Sequence, residues 1–221
     1  MPDSLTSPPV GPLLDRLFQA ADSDDATYRV IVRERHPDGF AGMSAQEQAD
    51  AYAELYIPVS PDAGRLLYTL VRASRPGTVV EFGTSFGIST IHLAAAVRDN
   101  GAGRVVSTEL NAAKVARARA NLAEAGLADV VTILQGDARE TLADLPGPVG
   151  FVLLDGWKRL YLPVLRLLEP WLTSGALVVA DDTVSMADQM TDYLTYVRDP
   201  AQGYLSVSFP EADGLELSCR V

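Results

Sequence analysis

The chain has little that could cross-link it. Cys219 is the single cysteine among 221 residues, so no intrachain disulfide can form and a cysteine-rich zinc site is excluded. A long Lys/Arg cluster is also missing. With 18 basic against 29 acidic residues the net charge is −11, a surface that repels phosphate backbones and makes nucleic acid a disfavoured partner. No apolar run approaches the ~20 residues of a membrane span, and the first residues do not pair a basic region with an apolar stretch as a signal peptide does. Internal repeats and low-complexity segments are absent. What remains, 48% hydrophobic and 21% charged, is the composition of an ordinary globular protein, long enough for one α/β core and short for two. The expectation is a single domain over 1–221, cytoplasmic and without a membrane partner.

Residues 1–12 hold four prolines among small polar residues and read as a loose arm. Apolar spacing predicts short helices over 13–21 and 28–35. A third, over 45–55, has Ser44 as N-cap and Glu47 three residues later, a capping box. Ser60 followed by Pro61 starts a fourth, running to Ser74. These elements precede the first strand, so 1–56 is a candidate lid or substrate wall before an α/β core over 57–221. Strands are expected over 79–82, 105–108, 130–134, 149–154 and 176–180. The helices between them are expected over 88–98, 112–125, 139–145 and 160–172, an alternation that implies a parallel sheet covered on both faces. One more helix, over 185–197, leads to strands 204–209 and 215–221. Their connection is too short for a crossover, so one of them must run antiparallel.

The first strand ends in Glu81-Phe82-Gly83-Thr84-Ser85-Phe86-Gly87. Gly83 allows a tight turn and Gly87 a close approach of backbone to ligand, and the helix beyond presents free amides. The phosphate fingerprint G-x-G-x-x-G is missing, with Ser85 at its second glycine, which disfavours a nicotinamide-dependent dehydrogenase. Glu81 would repel a pyrophosphate and attract an ammonium; the alternative is a buried capping glutamate. Glu109 ends the second strand, where an acid accepts hydrogen bonds from ribose hydroxyls. Asp137, after the third strand, either contacts an adenine amino group or caps the short helix that follows. An amino acid, a ribose and an adenine without phosphate make up S-adenosylmethionine.

Two further strands end on acids. Asp155 closes one and is followed three residues later by Lys158; Asp181 and Asp182 close the other. In open α/β sheets ligands bind outside the carboxyl ends of strands. Three carboxylates from two such ends beside one lysine suggest a divalent-cation site serving a deprotonation. Hard oxygen ligands favour Mg²⁺, Mn²⁺ or Ca²⁺, and a lysine acts as a base only when its pKa is lowered.

From residue 57 onward the chain resembles the metal-dependent O-methyltransferases that include the catechol and caffeoyl-coenzyme A enzymes. The resemblance rests on the Glu81–Ser89 segment, Thr108-Glu109, Gly136-Asp137-Ala138, Leu154-Asp155-Gly156-Trp157-Lys158 with Tyr161-Leu162-Pro163, Ala180-Asp181-Asp182 and Gly214–Ser218. It implies a seven-stranded Rossmann-like sheet, six strands parallel and the last antiparallel. It implies cofactor contacts from Val59, Glu81, Gly83, Thr84, Ser85, Gly87, Ser89, Glu109, Leu110, Gly136, Asp137, Ala138, Asp155 and Trp157. Metal ligation would come from Asp155, Asp181 and Asp182, and catalysis from Lys158 and Asp155. The acceptor would be a small hydroxylated aromatic, with a modified tRNA base as the alternative, and relatives are often homodimers. One departure stands out. The third ligand is commonly Asn, and Asp182 adds a charge that raises the nearby lysine's pKa, unless it merely caps the next helix. Tyr28, Phe40 and Tyr52 line a substrate pocket or form an apolar helix face. His36 is a lesser substrate candidate, and His92 and Trp171 read as structural.

Overall fold

The computed structural model describes residues 3–24, 27–28, 30–35, 40, 42–210 and 213–221; His36 lies outside them. Its centre is a seven-stranded sheet, β1 (Thr78–Phe82), β2 (Arg104–Glu109), β3 (Val131–Gln135), β4 (Val149–Leu154), β5 (Leu172–Asp181), β6 (Tyr204–Phe209) and β7 (Leu215–Arg220), in the order β3-β2-β1-β4-β5-β7-β6. Only β7 runs against the others, as expected. The order reverses between β1 and β4, the place where open α/β sheets open a crevice for ligand.

Alternation along each strand builds two cores. Val79, Val105, Phe151 and Leu153 face one side, under α1 (Val10–Asp22), α3 (Pro61–Ser74), α4 (Ile88–Asn100) and α5 (Ala112–Glu124). Val80, Val106, Val152 and Leu154 face the other, under α6 (Ala138–Thr141), α7 (Tyr161–Leu168) and α8 (Thr191–Arg198). The short α2 (Ala45–Ala51) starts with the expected capping box, Ser44 and Glu47 each bonding the other's backbone amide. Ser60 caps α3 ahead of Pro61.

Four expectations are corrected. The arm over 1–12 is not loose where described: Ser4 donates through its backbone and hydroxyl to Asp99, and Leu5 and Val10 are buried. In place of a plain α-helix over 28–35 there is a π-helical turn, Val30–Arg35. The helix over 160–172 stops at Leu168, because Pro170 cannot continue it, and β5 begins at Leu172. The helix over 185–197 begins only at Thr191. The loop before it is held to the β6–β7 connection, with the amides of Thr183, Val184 and Ser185 donating to Gly214 and Asp213.

Candidate active site

The carboxyl ends of β1, β4 and β5 are level. Phe82 pairs with Leu154 and Leu154 with Ala180, so Asp155 and Asp181 leave neighbouring strands side by side. Asp182 follows in the left-handed region, at φ 62°, which Asp and Asn adopt more readily than other non-glycine residues. One carboxylate oxygen from each of Asp155, Asp181 and Asp182 lies within 4.8 Å of the others. The alternative role for Asp182, a helix cap, is not what the structure contains: its side chain faces Lys158, whose Nζ is 2.6 Å from Asp182 Oδ2 and 3.5 Å from Asp155 Oδ1. The same ammonium donates to Tyr161 Oη at 2.7 Å, and that phenol donates to the Asp181 carbonyl at 3.2 Å.

The electrostatics follow from crowding in a dry place. Burial pushes the Asp155 carboxyl well above its usual range, with Lys158 opposing and Asp181 and Asp182 adding to the rise. Burial and Asp182 push Asp181 up to about 6, again against Lys158. Burial by itself would lower Lys158, yet Asp155 and Asp182 hold its pKa above the ordinary lysine value. The expected lowering is therefore absent while Lys158 is the cation that, among the described residues, pairs with these acids. A cluster of hard oxygen donors with a surplus of negative charge fits a divalent cation.

Beside this cluster lies a cavity of about 670 Å³, within the range of small-molecule sites. Gly83, Ser85, Glu109, Leu110, Gly136, Asp137, Ala138, Asp155 and Trp157 all line it, with Lys158 and Asp182 at the acid end. Thr84 and Ser89 line a small cleft alongside, shared with Gly83, Ser85 and Asp155. The turn is tight where it must be. Gly83 has φ 107°, and a Cβ there would stand 2.7 Å from the Asp155 carbonyl carbon and 2.9 Å from the Gly156 nitrogen. Glu109 is fixed at the rim by the amides of Ser85 and Asn111, each at 2.9 Å.

Several residues differ from their expected placement. The Glu81 carboxylate does not face the cavity. It is fully buried and takes hydrogen bonds from the hydroxyls of Ser89, Thr90 and Ser107 at 2.5–2.6 Å, so it is a buried glutamate as the alternative had it, but held by side-chain hydroxyls and not as a cap of the helix, and burial raises its pKa despite those three donors. Gly87 approaches Ala118 of α5, not the cavity, and Val59 is buried in the core. Asp137 lines the cavity, but its side chain caps α6 and is gripped by Arg139. Tyr28, Phe40 and Tyr52 are on the cavity wall, with Tyr52 5.9 Å from Trp157 between ring centroids. His92 is buried under α3 with Nδ1 2.8 Å from the Ile88 carbonyl oxygen, as a structural residue should be, and Trp171 is partly buried against the second core. Sequence reasoning missed Lys114, Arg159, Met186 and Gln189, all lining the cavity. Lys114 carried a readable signal, a cation in a helix's first turn where the dipole disfavours one.

Comparison with known proteins agrees with this geometry. Residues 80–183 match the family described as a methyltransferase domain. Catechol O-methyltransferase B of Danio rerio is 30% identical over 190 residues, 80% of this chain and 70% of that protein. Among solved structures, cofactor-bound Rv0187 from MTB superposes with a TM-score of 0.75 at 26% identity, over 98% of this chain and 94% of that one. The O-methyltransferase TomG from Streptomyces achromogenes, in complex with SAM, shares the fold with a TM-score of 0.69 at 24% identity, over 92% and 98%. No described helix is long and apolar enough to cross a membrane. Sheet order, crevice and relatives together establish that the chain belongs to the S-adenosylmethionine-dependent O-methyltransferases of the catechol and caffeoyl-coenzyme A type.

Proposed function

We propose that the chain methylates a hydroxyl of a small aromatic acceptor, with Mg²⁺ or a similar divalent cation between Asp155, Asp181 and Asp182 and with Lys158 as general base. The observation that carries this reading is the meeting of three carboxylates and one lysine at a cavity that Tyr28, Phe40, Tyr52 and Trp157 also line. Relatives named catechol O-methyltransferase support a hydroxylated aromatic acceptor, and the net charge of −11 weighs against nucleic acid.

When bound, the cation would lower the pKa of an adjacent acceptor hydroxyl and fix its oxygen. The chain's own residues do the rest. Lys158 Nζ takes the hydroxyl proton, and Tyr161 Oη, 2.7 Å away, holds that amine in place. Asp155 and Asp182 hold the amine's pKa up while their charge is otherwise unopposed; a divalent cation held by these carboxylates would offset that charge and would favour the neutral amine that a base requires. Glu109, pinned by two amides, receives the ribose hydroxyls and so aims the methyl donor. Tyr28, Phe40, Tyr52 and Trp157 face the acceptor ring and exclude water.

The test is incorporation of one methyl mass into catechol from S-adenosylmethionine. EDTA abolishes it and Mg²⁺ restores it. Undiminished incorporation in EDTA would remove the metal from the reaction.

A further inference from the structure

We infer that Lys114 is a cofactor-contacting residue whose ammonium donates hydrogen bonds to the ribose hydroxyl oxygens on the wall it shares with Glu109. The inference rests on the family's cofactor and on neither the metal nor the acceptor.

Lys114 sits in the first turn of α5 and is 4% exposed. Among the described residues no carboxylate forms an ion pair with it. Its one hydrogen bond goes to a neutral group, Ser85 Oγ at 3.1 Å, and its Nζ lies 5.3 Å from the centre of the Phe86 ring. An ammonium has three donors, so two have no partner among the described residues, in a place where an unsatisfied charge is costly and where the helix dipole adds to the cost. Lys114 lines the cavity, so a ligand that fills it is within reach of the remaining donors.

Ser85 fixes the geometry. Its amide donates to Glu109 Oε2 at 2.9 Å while its hydroxyl accepts from Lys114, so acceptor and donor are anchored through one residue. A ribose hydroxyl needs both. An ionised carboxylate takes only its hydrogen and leaves the oxygen lone pairs unmet; an ammonium supplies only donors. Glu109 and Lys114 are therefore complementary halves of a diol site, which a lone strand-end acid is not.

Burial lowers Lys114 to about 8, against the charges that face it: Glu109 from β2, Asp24 from the segment after α1 and Asp155 from the end of β4. New acceptors favour the charged form and raise that value in the complex. Binding should then take up a proton near pH 8 and weaken as the pH climbs above it.

The experiment is titration calorimetry in EDTA, without acceptor, so its failure and that of the proposed reaction are distinguishable. Its two probes are S-adenosylhomocysteine and 5′-methylthioadenosine, which keeps adenine and ribose but has no amino-acid arm. Lys114→Met should weaken both by a similar factor, roughly 10- to 100-fold, as for a hydrogen bond to a charged group. Wild-type protein should take up a proton with 5′-methylthioadenosine at pH 8.5, read from enthalpies in buffers of different ionisation heat, a measurement that needs no variant. Unchanged affinities, a loss confined to S-adenosylhomocysteine, or no proton uptake by the wild type would each overturn the inference.

Discussion

Replacing Lys158 by methionine separates the two jobs that this residue has. Its Nζ lies 2.6 Å from Asp182 and 3.5 Å from Asp155, with the three side chains 7%, 22% and 11% exposed, so solvent screens little of the attraction. Breaking a buried ion pair by removing one partner costs about 3–5 kcal/mol. The lower end applies, because Asp155 and Asp181 are already raised and can take up protons once the lysine is gone. For a chain of this size each kcal/mol moves the midpoint by about 2–4 °C, so the variant should melt roughly 6–12 °C lower in EDTA. A cation that binds the native cluster returns stability by mass action, about 2.7 kcal/mol at a hundred times its Kd. Mg²⁺ should therefore stabilise the variant more than the wild type, whose ammonium competes for the same oxygens. Turnover should not return with stability, and should stay ~10²–10⁴-fold down for want of a base. Thermal melts in EDTA and in Mg²⁺, paired with the methyl-transfer assay, decide the matter. Equal melting of the two proteins in EDTA, or equal gains with Mg²⁺, would refute the account of Lys158 as the cluster's counter-ion.

Two other outcomes follow from the first turn. Gly83→Ala combines a positive φ with a Cβ pressed on the Asp155–Gly156 backbone, and backbone cannot swing aside as a side chain can. It should cost about 2–5 kcal/mol from strain plus overpacking and weaken S-adenosylhomocysteine binding. Chemical denaturation and calorimetry check this, and an unperturbed variant would contradict the close approach. Glu81 has its pKa raised, chiefly by burial. The stability it brings is full at acid pH, below the value of the unfolded chain, and is lost as the pH rises through the folded value. Glu81→Gln should remove that part of the pH slope, so melting curves of the two proteins from pH 4 to 8 should diverge; parallel curves would count against a raised carboxyl.

The fold was readable because its causes are local. Alternation of apolar residues placed the strands, Ser44, Ser60 and Pro61 announced helix starts, and the short β6–β7 connection forced one antiparallel strand. Legibility failed where distant partners decide. Residues 3–12 looked like a free arm because Asp99, which holds Ser4, is 95 positions away. The late start of α8 depends on the amides of Thr183, Val184 and Ser185 reaching Asp213 and Gly214. No periodicity encodes that.

The candidate site divides in the same way. Sequence by itself determined which acids stand at strand ends, because strand boundaries and the carboxyl-end rule need only local pattern; Glu109, Asp155, Asp181 and Asp182 were found so. Only the tertiary structure decided where each side chain points. Glu81 is as acidic as Glu109 and also lies on a strand, yet Ser89, Thr90 and Ser107 turn it inward while Glu109 stays at the rim. Tyr28, Phe40 and Tyr52 came to the cavity wall by a packing that their spacing left open. Lys114 and Lys158 are the same residue type, and their pKa values move in opposite directions, Lys114 down and Lys158 up. The difference is whether the fold brings carboxylates within ion-pair reach of the buried amine, and proximity between distant segments is what a linear order of residues does not contain.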